Sequence, residues 1–172
     1  IKKAVGLDKI RASISGGGAL SMQDELFYDA IGVNLRIGYG LTETAPICCI
    51  RNAKKPVLGT IGKIMSYCEA KVVHRNGSEC KPGEKGVLYI KGPNVMKGYY
   101  KQPELTAEVI SEGEWFNTGD LVIKTYNGEI IVITVRLAGV CGVLTVFFVN
   151  HVNAVVNSEK RALFCSFFFA IE

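Results

Sequence analysis

Between Gly38 and Pro46 the chain reads Gly-Tyr-Gly-Leu-Thr-Glu-Thr-Ala-Pro. A hydroxyl, Thr42, stands beside a carboxylate, Glu43, and two glycines, Gly38 and Gly40, flank the ring of Tyr39. Such a corner can do three jobs for a nucleotide. The Tyr39 ring can stack on a base. The Thr42 hydroxyl can bond a phosphate oxygen. The Glu43 carboxylate can hold Mg²⁺, a hard cation that takes one or two carboxylates together with the substrate's own phosphates. The Thr-Glu pair also reads as a plain helix N-cap followed by a first-turn acid, and Tyr39 as a core aromatic. Upstream, Gly16, Gly17 and Gly18 would let the backbone approach a flat ring without Cβ clashes. They do not form a P-loop, since no Gly-Lys-(Ser/Thr) follows them.

The surrounding pattern indicates how these residues are held. Residues 10–14 read as a short strand running into the glycine loop. Met22, Leu26, Phe27, Ala30 and Ile31 recur at three- and four-residue spacing, which predicts a helix over 22–31. Gly32 closes it. Leu35 and Ile37 then alternate toward the Tyr39 corner. Strand, loop, helix, strand is the unit of a parallel α/β sheet, and open sheets of that kind bind ligands beyond the strand ends. Composition shifts near Pro56. From 57 to 136 the pattern is strand and turn: residues 68–74, 86–91 and 129–135 are β-rich, with turn clusters at 75–78, 81–84 and Asn127-Gly128. Pro103 opens a short helix over 103–111. The fold class is therefore α/β, a partial parallel sheet region over 1–56 followed by a mainly antiparallel β subdomain over 57–136.

Composition removes several function classes. The 172 residues carry a net charge of +4, spread without a basic block, so no nucleic-acid partner is expected. Lys91, Lys97 and Lys101 read as a solvated basic face. The six cysteines, at 48, 49, 68, 80, 141 and 165, include no Cys-x-x-Cys pair, and His74 and His151 are the two histidines. That spacing argues against zinc. Cys48 and Cys49 read as small core residues, and the whole pattern suits a reducing cytoplasm. His74 reads as a surface strand residue. Asn76-Gly77-Ser78 matches a glycosylation triplet but also makes a hairpin turn. The chain starts on Ile1 rather than Met and reads as a fragment, so a targeting segment could precede it.

The Gly38–Pro46 stretch resembles the Tyr-Gly-x-Thr-Glu motif of the adenylate-forming enzymes: acyl-CoA synthetases, luciferases and peptide-synthetase adenylation domains. Three further stretches are similar to that superfamily's motifs in the same order. Ser15-Gly16-Gly17-Gly18-Ala19-Leu20 resembles the loop that lies against adenine. Gly86 to Tyr100 resembles the Gly-Glu-Leu-x-x-(Arg/Lys)-Gly segment ending in Gly-Tyr. Trp115-Phe116-Asn117-Thr118-Gly119-Asp120-Leu121 resembles the Trp-Phe-x-Thr-Gly-Asp block. The wording is most like that of long-chain fatty-acyl-CoA synthetases. The resemblance implies ATP, Mg²⁺ and coenzyme A as ligands and a fatty acid as substrate, its chain lying near Gly16–Leu20 and the strand before Gly38. It implies nucleotide contacts from Gly16, Gly17, Gly18, Ala19, Tyr39, Gly40 and Thr42. Thr42 and Glu43 would serve catalysis, with Glu43 on the metal. Asp120 would hold the ribose hydroxyls, because one carboxylate can accept from both, although a turn aspartate after glycine is the plainer reading. Arg136 would be a ribose or hinge contact.

The resemblance fails at the end. The family's arginine follows a glycine, whereas Arg136 follows Val135, and nothing beyond it resembles the C-terminal lid with its catalytic lysine. The family's phosphate loop would lie upstream of Ile1. The fragment is therefore expected to be inactive by itself. Residues 137–172 hold six of the eight phenylalanines and four charged residues. Their two apolar runs, 137–149 and 162–171, fall short of the roughly 18–20 residues a spanning helix needs. A frame shift or retained intron would explain this tail, and so would an interfacial segment. The rival reading is a nonenzymatic truncated member that binds nucleotide or a partner and attaches peripherally to membranes through the tail.

Overall fold

A computed structural model of the chain describes residues 2–10, 12–52, 54–134 and 169–171. Strand β1 (Ala12–Ser15) runs into the glycine loop, helix α1 (Met22–Ala30) follows, and β2 (Leu35–Tyr39) returns beside β1. The two strands are parallel, with Ser13 opposite Leu35 and Ser15 opposite Ile37. This is the strand–loop–helix–strand unit expected from the sequence. The rest of the first sheet is antiparallel: β3 (Cys49–Ile50) pairs with β2, and β4 (Lys63–Ile64) with β3. The sheet is thus mixed and continues past Pro56. On the other edge β10 (Phe169–Ile171) pairs antiparallel with β1. Arg136 and most of the apolar tail lie outside the described residues.

Helix α1 starts at Ser21, whose hydroxyl oxygen accepts from the Asp24 amide at 3.1 Å, while Asp24 and Glu25 place negative charge in the first turn. It ends one residue earlier than its periodicity predicts, with Ile31 as its cap and Gly32 at φ 71°. The face it turns inward is not the apolar stripe. Met22, Leu26 and Phe27 are about half exposed (49–55%), whereas Glu25 is buried. Arg51 holds that carboxylate. Its guanidinium pairs with Glu25 and donates to the Thr60 carbonyl, through Nε at 2.9 Å. Glu25 Oε2 also accepts from the Gly59 amide at 3.1 Å. Buried Glu129 accepts from the Thr60 hydroxyl at 3.2 Å. Burial pulls the Arg51 pKa down, and the Glu129 charge opposes that shift. One cation thereby joins α1, the end of β3, the 59–60 turn and the start of β9.

The second sheet is antiparallel throughout, as expected. Its strands are β5 (Glu69–Val73), β6 (Lys85–Lys91), β7 (Ile110–Ser111), β8 (Trp115–Lys124) and β9 (Ile130–Thr134). Their order is β5-β6-β8-β7, with β9 also on β8. The Asn76-Gly77-Ser78 triplet is a hairpin turn with Gly77 at φ 87°. Helix α2 (Pro103–Val109) carries Pro103 in its first turn. The sheets meet where Gly62 bridges Ile130: the Ile130 amide donates to the Gly62 carbonyl at 2.9 Å, and the Ile61 amide donates to the Ile130 carbonyl at 2.8 Å. A Cβ on Gly62 would stand 2.1 Å from the Ile50 carbonyl oxygen, so only glycine fits that crossing. The core runs across the seam: Cys48 and Cys49 from the first sheet pack with Cys68, Val72, Leu88, Ile90, Val122 and Ile130. Both vicinal cysteines are fully buried, in keeping with their reading as core residues. No helix among the described residues is long and apolar enough to cross a membrane.

Removing Arg51 leaves the Glu25 charge buried and unpaired. Arg51→Met is expected to cost about 3–5 kcal/mol, the usual penalty for breaking a buried pair from one side. Adding Glu25→Leu should recover part of it, because removing both charges is often close to neutral. Urea unfolding of the two variants measures this. A loss below about 1 kcal/mol for Arg51→Met, a typical single-substitution value, would show that the cluster is not a main tie.

Candidate functional site

The Tyr39–Pro46 corner is a tight reversal rather than a helix start. Thr42–Thr44 form a single 3₁₀ turn. Buried Thr44 holds it: its hydroxyl oxygen accepts from the Leu41 amide at 2.8 Å, and the hydroxyl donates to the Leu41 carbonyl at 3.0 Å. Ala45 adopts the left-handed region at φ 43°, and the Ala45–Pro46 peptide is cis. Gly40 has a packing reason to be glycine, since a Cβ there would lie 1.6 Å from the Pro46 carbonyl oxygen. Thr42 is exposed at the tip and Glu43 is half-buried.

The segment from Gly92 to Tyr99 clamps this turn from the second sheet. The Tyr99 hydroxyl donates to Glu43 Oε1 at 2.8 Å. The Met96 amide donates to the Glu43 carbonyl at 2.8 Å. Asn94 donates through Nδ2 to the Thr44 carbonyl at 2.7 Å and accepts from the Cys68 thiol at 3.1 Å. Glu43 is therefore positioned through both its backbone and its side chain.

Asp120 lies in mid-β8, not in a turn. Along that strand Phe116, Thr118, Asp120 and Val122 alternate onto the buried face, the period of two that a strand imposes. Asp120 is 1% exposed. The Tyr39 hydroxyl donates to its Oδ2 at 2.5 Å, across 81 residues of sequence. Its amide donates to Thr118 Oγ1 at 3.1 Å, and the Thr118 hydroxyl donates to the Leu88 carbonyl at 2.9 Å. Burial, then the Asp120 charge, push the Tyr39 pKa far above the ordinary phenol range. Tyr39 therefore keeps its proton and remains a donor to the carboxylate.

Gly16 begins the loop after β1 and lies against β2: a Cβ there would stand 2.7 Å from the Gly38 carbonyl oxygen. Gly17 uses a left-handed φ of 79°. Gly17, Gly18 and Ala19 are exposed. The structure thus brings the glycine loop to the end of β2, and Tyr39 to Asp120. Arg136 is outside the described residues.

Sequence reading missed Thr44, Asn94 and Tyr99. A signal for the last two was present, since both belong to the Gly86–Tyr100 stretch, but motif order does not say which turn a residue will clamp. It also treated Tyr39 as a ring only, whereas its hydroxyl makes the contact that spans the sheets. A groove of about 880 Å³ opens elsewhere, beside the β5–β6 turns, and is lined in part by His74, Lys85 and Leu121.

Residues 2–100 match the AMP-binding enzyme family. The chain is 47% identical over 121 residues to the long-chain-fatty-acid–[acyl-carrier-protein] ligase AEE15, chloroplastic, of Arabidopsis thaliana, covering 70% of this chain and 16% of that protein. It is 38% identical over 134 residues to a long-chain-fatty-acid–CoA ligase of Haemophilus influenzae, covering 75% of this chain and 24% of the relative. It therefore spans about a sixth to a quarter of these relatives. Among solved structures, O-succinylbenzoate coenzyme A synthetase from Bacillus subtilis, in complex with ATP and magnesium ion, superposes with a TM-score of 0.67 at 30% identity, over 77% of this chain and 29% of that one. With a matched segment that takes in the glycine loop, the Tyr39–Pro46 corner and the clamp on Glu43, the chain belongs to the AMP-binding enzyme family.

Proposed function

We propose that this chain is the adenosine-binding portion of an ATP-dependent fatty-acid–CoA ligase. The fatty-acid carboxylate attacks the α-phosphorus of ATP. An O–P bond forms, pyrophosphate leaves, and an acyl-adenylate results. The CoA sulfur then attacks the acyl carbon, the thiol proton is lost, and AMP departs as the thioester forms. Fatty acid, ATP and CoA are the partners, and nucleic acid is not. The single observation that carries the reading is the Tyr39–Asp120 contact, which ties a buried carboxylate of the second sheet to the residue at which the Tyr39–Pro46 corner of the first begins.

In this reading Asp120 accepts from the ribose hydroxyls, with Tyr39 fixing its orientation. Gly16, Gly17, Gly18, Ala19, Tyr39 and Gly40 border the adenine, and the exposed Thr42 hydroxyl donates to phosphate. Glu43 suits Mg²⁺ in donor type: it is a hard carboxylate, half-buried, held at Oε1 by Tyr99 and with Oε2 for a cation. Mg²⁺, when bound with ATP, offsets the charge that develops on the phosphate oxygens. Arg136 is a further ribose or hinge contact. CoA is the acceptor proposed, although AEE15 is named for acyl carrier protein. The described cysteines are free thiols, which supports a reducing compartment, and we place the protein in the cytoplasm. Peripheral membrane association would involve residues outside those described.

Glu43→Gln keeps shape and loses charge. In the full-length protein it is expected to slow exchange of pyrophosphate into ATP by on the order of 10²–10³, the usual cost of removing one transition-state stabiliser. An unchanged exchange rate takes Glu43 out of the metal site.

Asp120→Asn retains an oxygen that can accept from Tyr39 while removing the charge. It should weaken ATP and AMP together by roughly 1.5–3 kcal/mol, the range for hydrogen bonds to a charged group, and leave fatty-acid binding unchanged. Calorimetry with all three ligands is the measurement. Equal loss for the fatty acid would mean general disruption instead.

Residues 1–172 expressed alone are expected to bind nucleotide without turnover, since no lysine-bearing lid motif follows Arg136. The assay is thioester formation from palmitate, ATP and either CoA or holo acyl carrier protein. Turnover by this chain would overturn the expectation, and a thioester only on the carrier protein in the full-length protein would replace CoA as the acceptor.

A further inference from the structure

His74, Cys80 and Glu84 occupy the two turns that join β5 to β6. The first turn is closed by the His74 amide on the Ser78 carbonyl at 2.9 Å and the Gly77 amide on the His74 carbonyl at 3.0 Å. The Cys80 amide then donates to the Val72 carbonyl at 2.7 Å. In the second turn the Glu84 amide donates to the Lys81 carbonyl at 3.0 Å, and the Lys81 amide to Glu84 Oε2 at 2.7 Å. These bonds bring one ligand atom from each of the three side chains within 4.8 Å of one another. His74 Nε2 and Glu84 Oε2 are already 3.1 Å apart. Cys80 is a free, partly buried thiol. Its sulfur occupies space that exists only because residue 86 is glycine, since a Cβ there would stand 2.5 Å away.

We propose that His74 Nε2, Cys80 Sγ and the Glu84 carboxylate form a binding site for a borderline-soft divalent cation, with Zn²⁺ the best match. The donor set decides the metal. Mg²⁺ and Ca²⁺ take oxygen ligands, whereas Zn²⁺ takes imidazole, thiolate and carboxylate with bonds of about 2.0–2.3 Å. Tetrahedral ligands at that bond length stand roughly 3.5 Å apart. The His74–Glu84 pair, at 3.1 Å, is close to that spacing, and the Cys80 sulfur lies within 4.8 Å of both. The cation replaces the proton between His74 and Glu84 and the proton of the thiol. Thiolate and carboxylate together cancel its charge. The neighbouring Glu84 and Glu79 carboxylates add negative charge that favours a cation at the sulfur. Three protein ligands leave a fourth position for water, and the His74 and Glu84 side chains are open to solvent. The site is separate from Glu43 in residues and in donor chemistry.

The test is a titration of the reduced 172-residue chain with Co²⁺, a spectroscopic substitute for Zn²⁺. Expected are one equivalent bound, tetrahedral d–d bands, a thiolate-to-cobalt charge-transfer band, and displacement of both by Zn²⁺. Cys80→Ser should abolish the charge-transfer band. His74→Ala should weaken binding at least about tenfold, the loss typical even of residues that only support a ligand. Cys68→Ser should change neither. Zn²⁺ should raise the melting temperature of the native chain and not that of Cys80→Ser, since a ligand that binds only the folded state stabilises it. A charge-transfer band that survives Cys80→Ser, or a native chain that takes up no Co²⁺ at submillimolar metal, overturns the proposal.

Discussion

Asp120 is a carboxylate with almost no contact with water, and a buried carboxylate is costly unless it is hydrogen-bonded. The Tyr39 hydroxyl meets that requirement from the other sheet. The contact constrains both ends. Tyr39 terminates β2, so its position sets where the Thr42–Glu43 turn begins. Asp120 sits mid-β8, so its position is set by the β6–β8 ladder. A candidate site assembled from two sheets works only if their relative placement is fixed, and this hydrogen bond lies at that seam.

Two other features hold the same seam by different physics. At Gly62 the backbone of the first sheet passes so close to Ile50 that no side chain fits, and its amide-carbonyl pairing with Ile130 joins the sheets directly. At Arg51 a buried cation pairs with Glu25 of α1 and donates to the Thr60 carbonyl, while the Glu129 carboxylate just before β9 acts on it through charge and accepts from the Thr60 hydroxyl. The vicinal cysteines, both fully buried, pack in the same core as Leu88 and Ile90. Glu43 is held by the same logic, its carboxylate bonded by Tyr99 and its backbone by Met96.

The candidate cation site on the β5–β6 turns depends on a smaller constraint. Two consecutive tight turns reverse the chain, and Gly86 leaves a hollow that the Cys80 sulfur enters. Sequence spacing argues against zinc because the chain has no Cys-x-x-Cys pair and two histidines. His74, Cys80 and Glu84 are brought together by the two turns and not by such a pair.

Local rules determined a good deal of this protein without any coordinates. Periodicity placed α1 to within a residue, turn residues separated β5 from β6 and β8 from β9, and the order of four motifs indicated the AMP-binding family. The first two are properties of near neighbours along the chain, where backbone sterics and side-chain period act directly; the family came from the resemblance of the motifs. What the tertiary structure alone decided involves partners far apart. Glu25 of α1 is buried against Arg51, a partner that helical periodicity does not reveal. The Thr42–Glu43 pair closes a 3₁₀ turn because Thr44 staples it and Asn94, Met96 and Tyr99 clamp it. Asp120 is buried because β8 alternates it onto the face that Tyr39 reaches. Hydrogen bonds and ion pairs between distant segments depend on how the sheets are stacked, and no periodicity within a segment encodes that stacking.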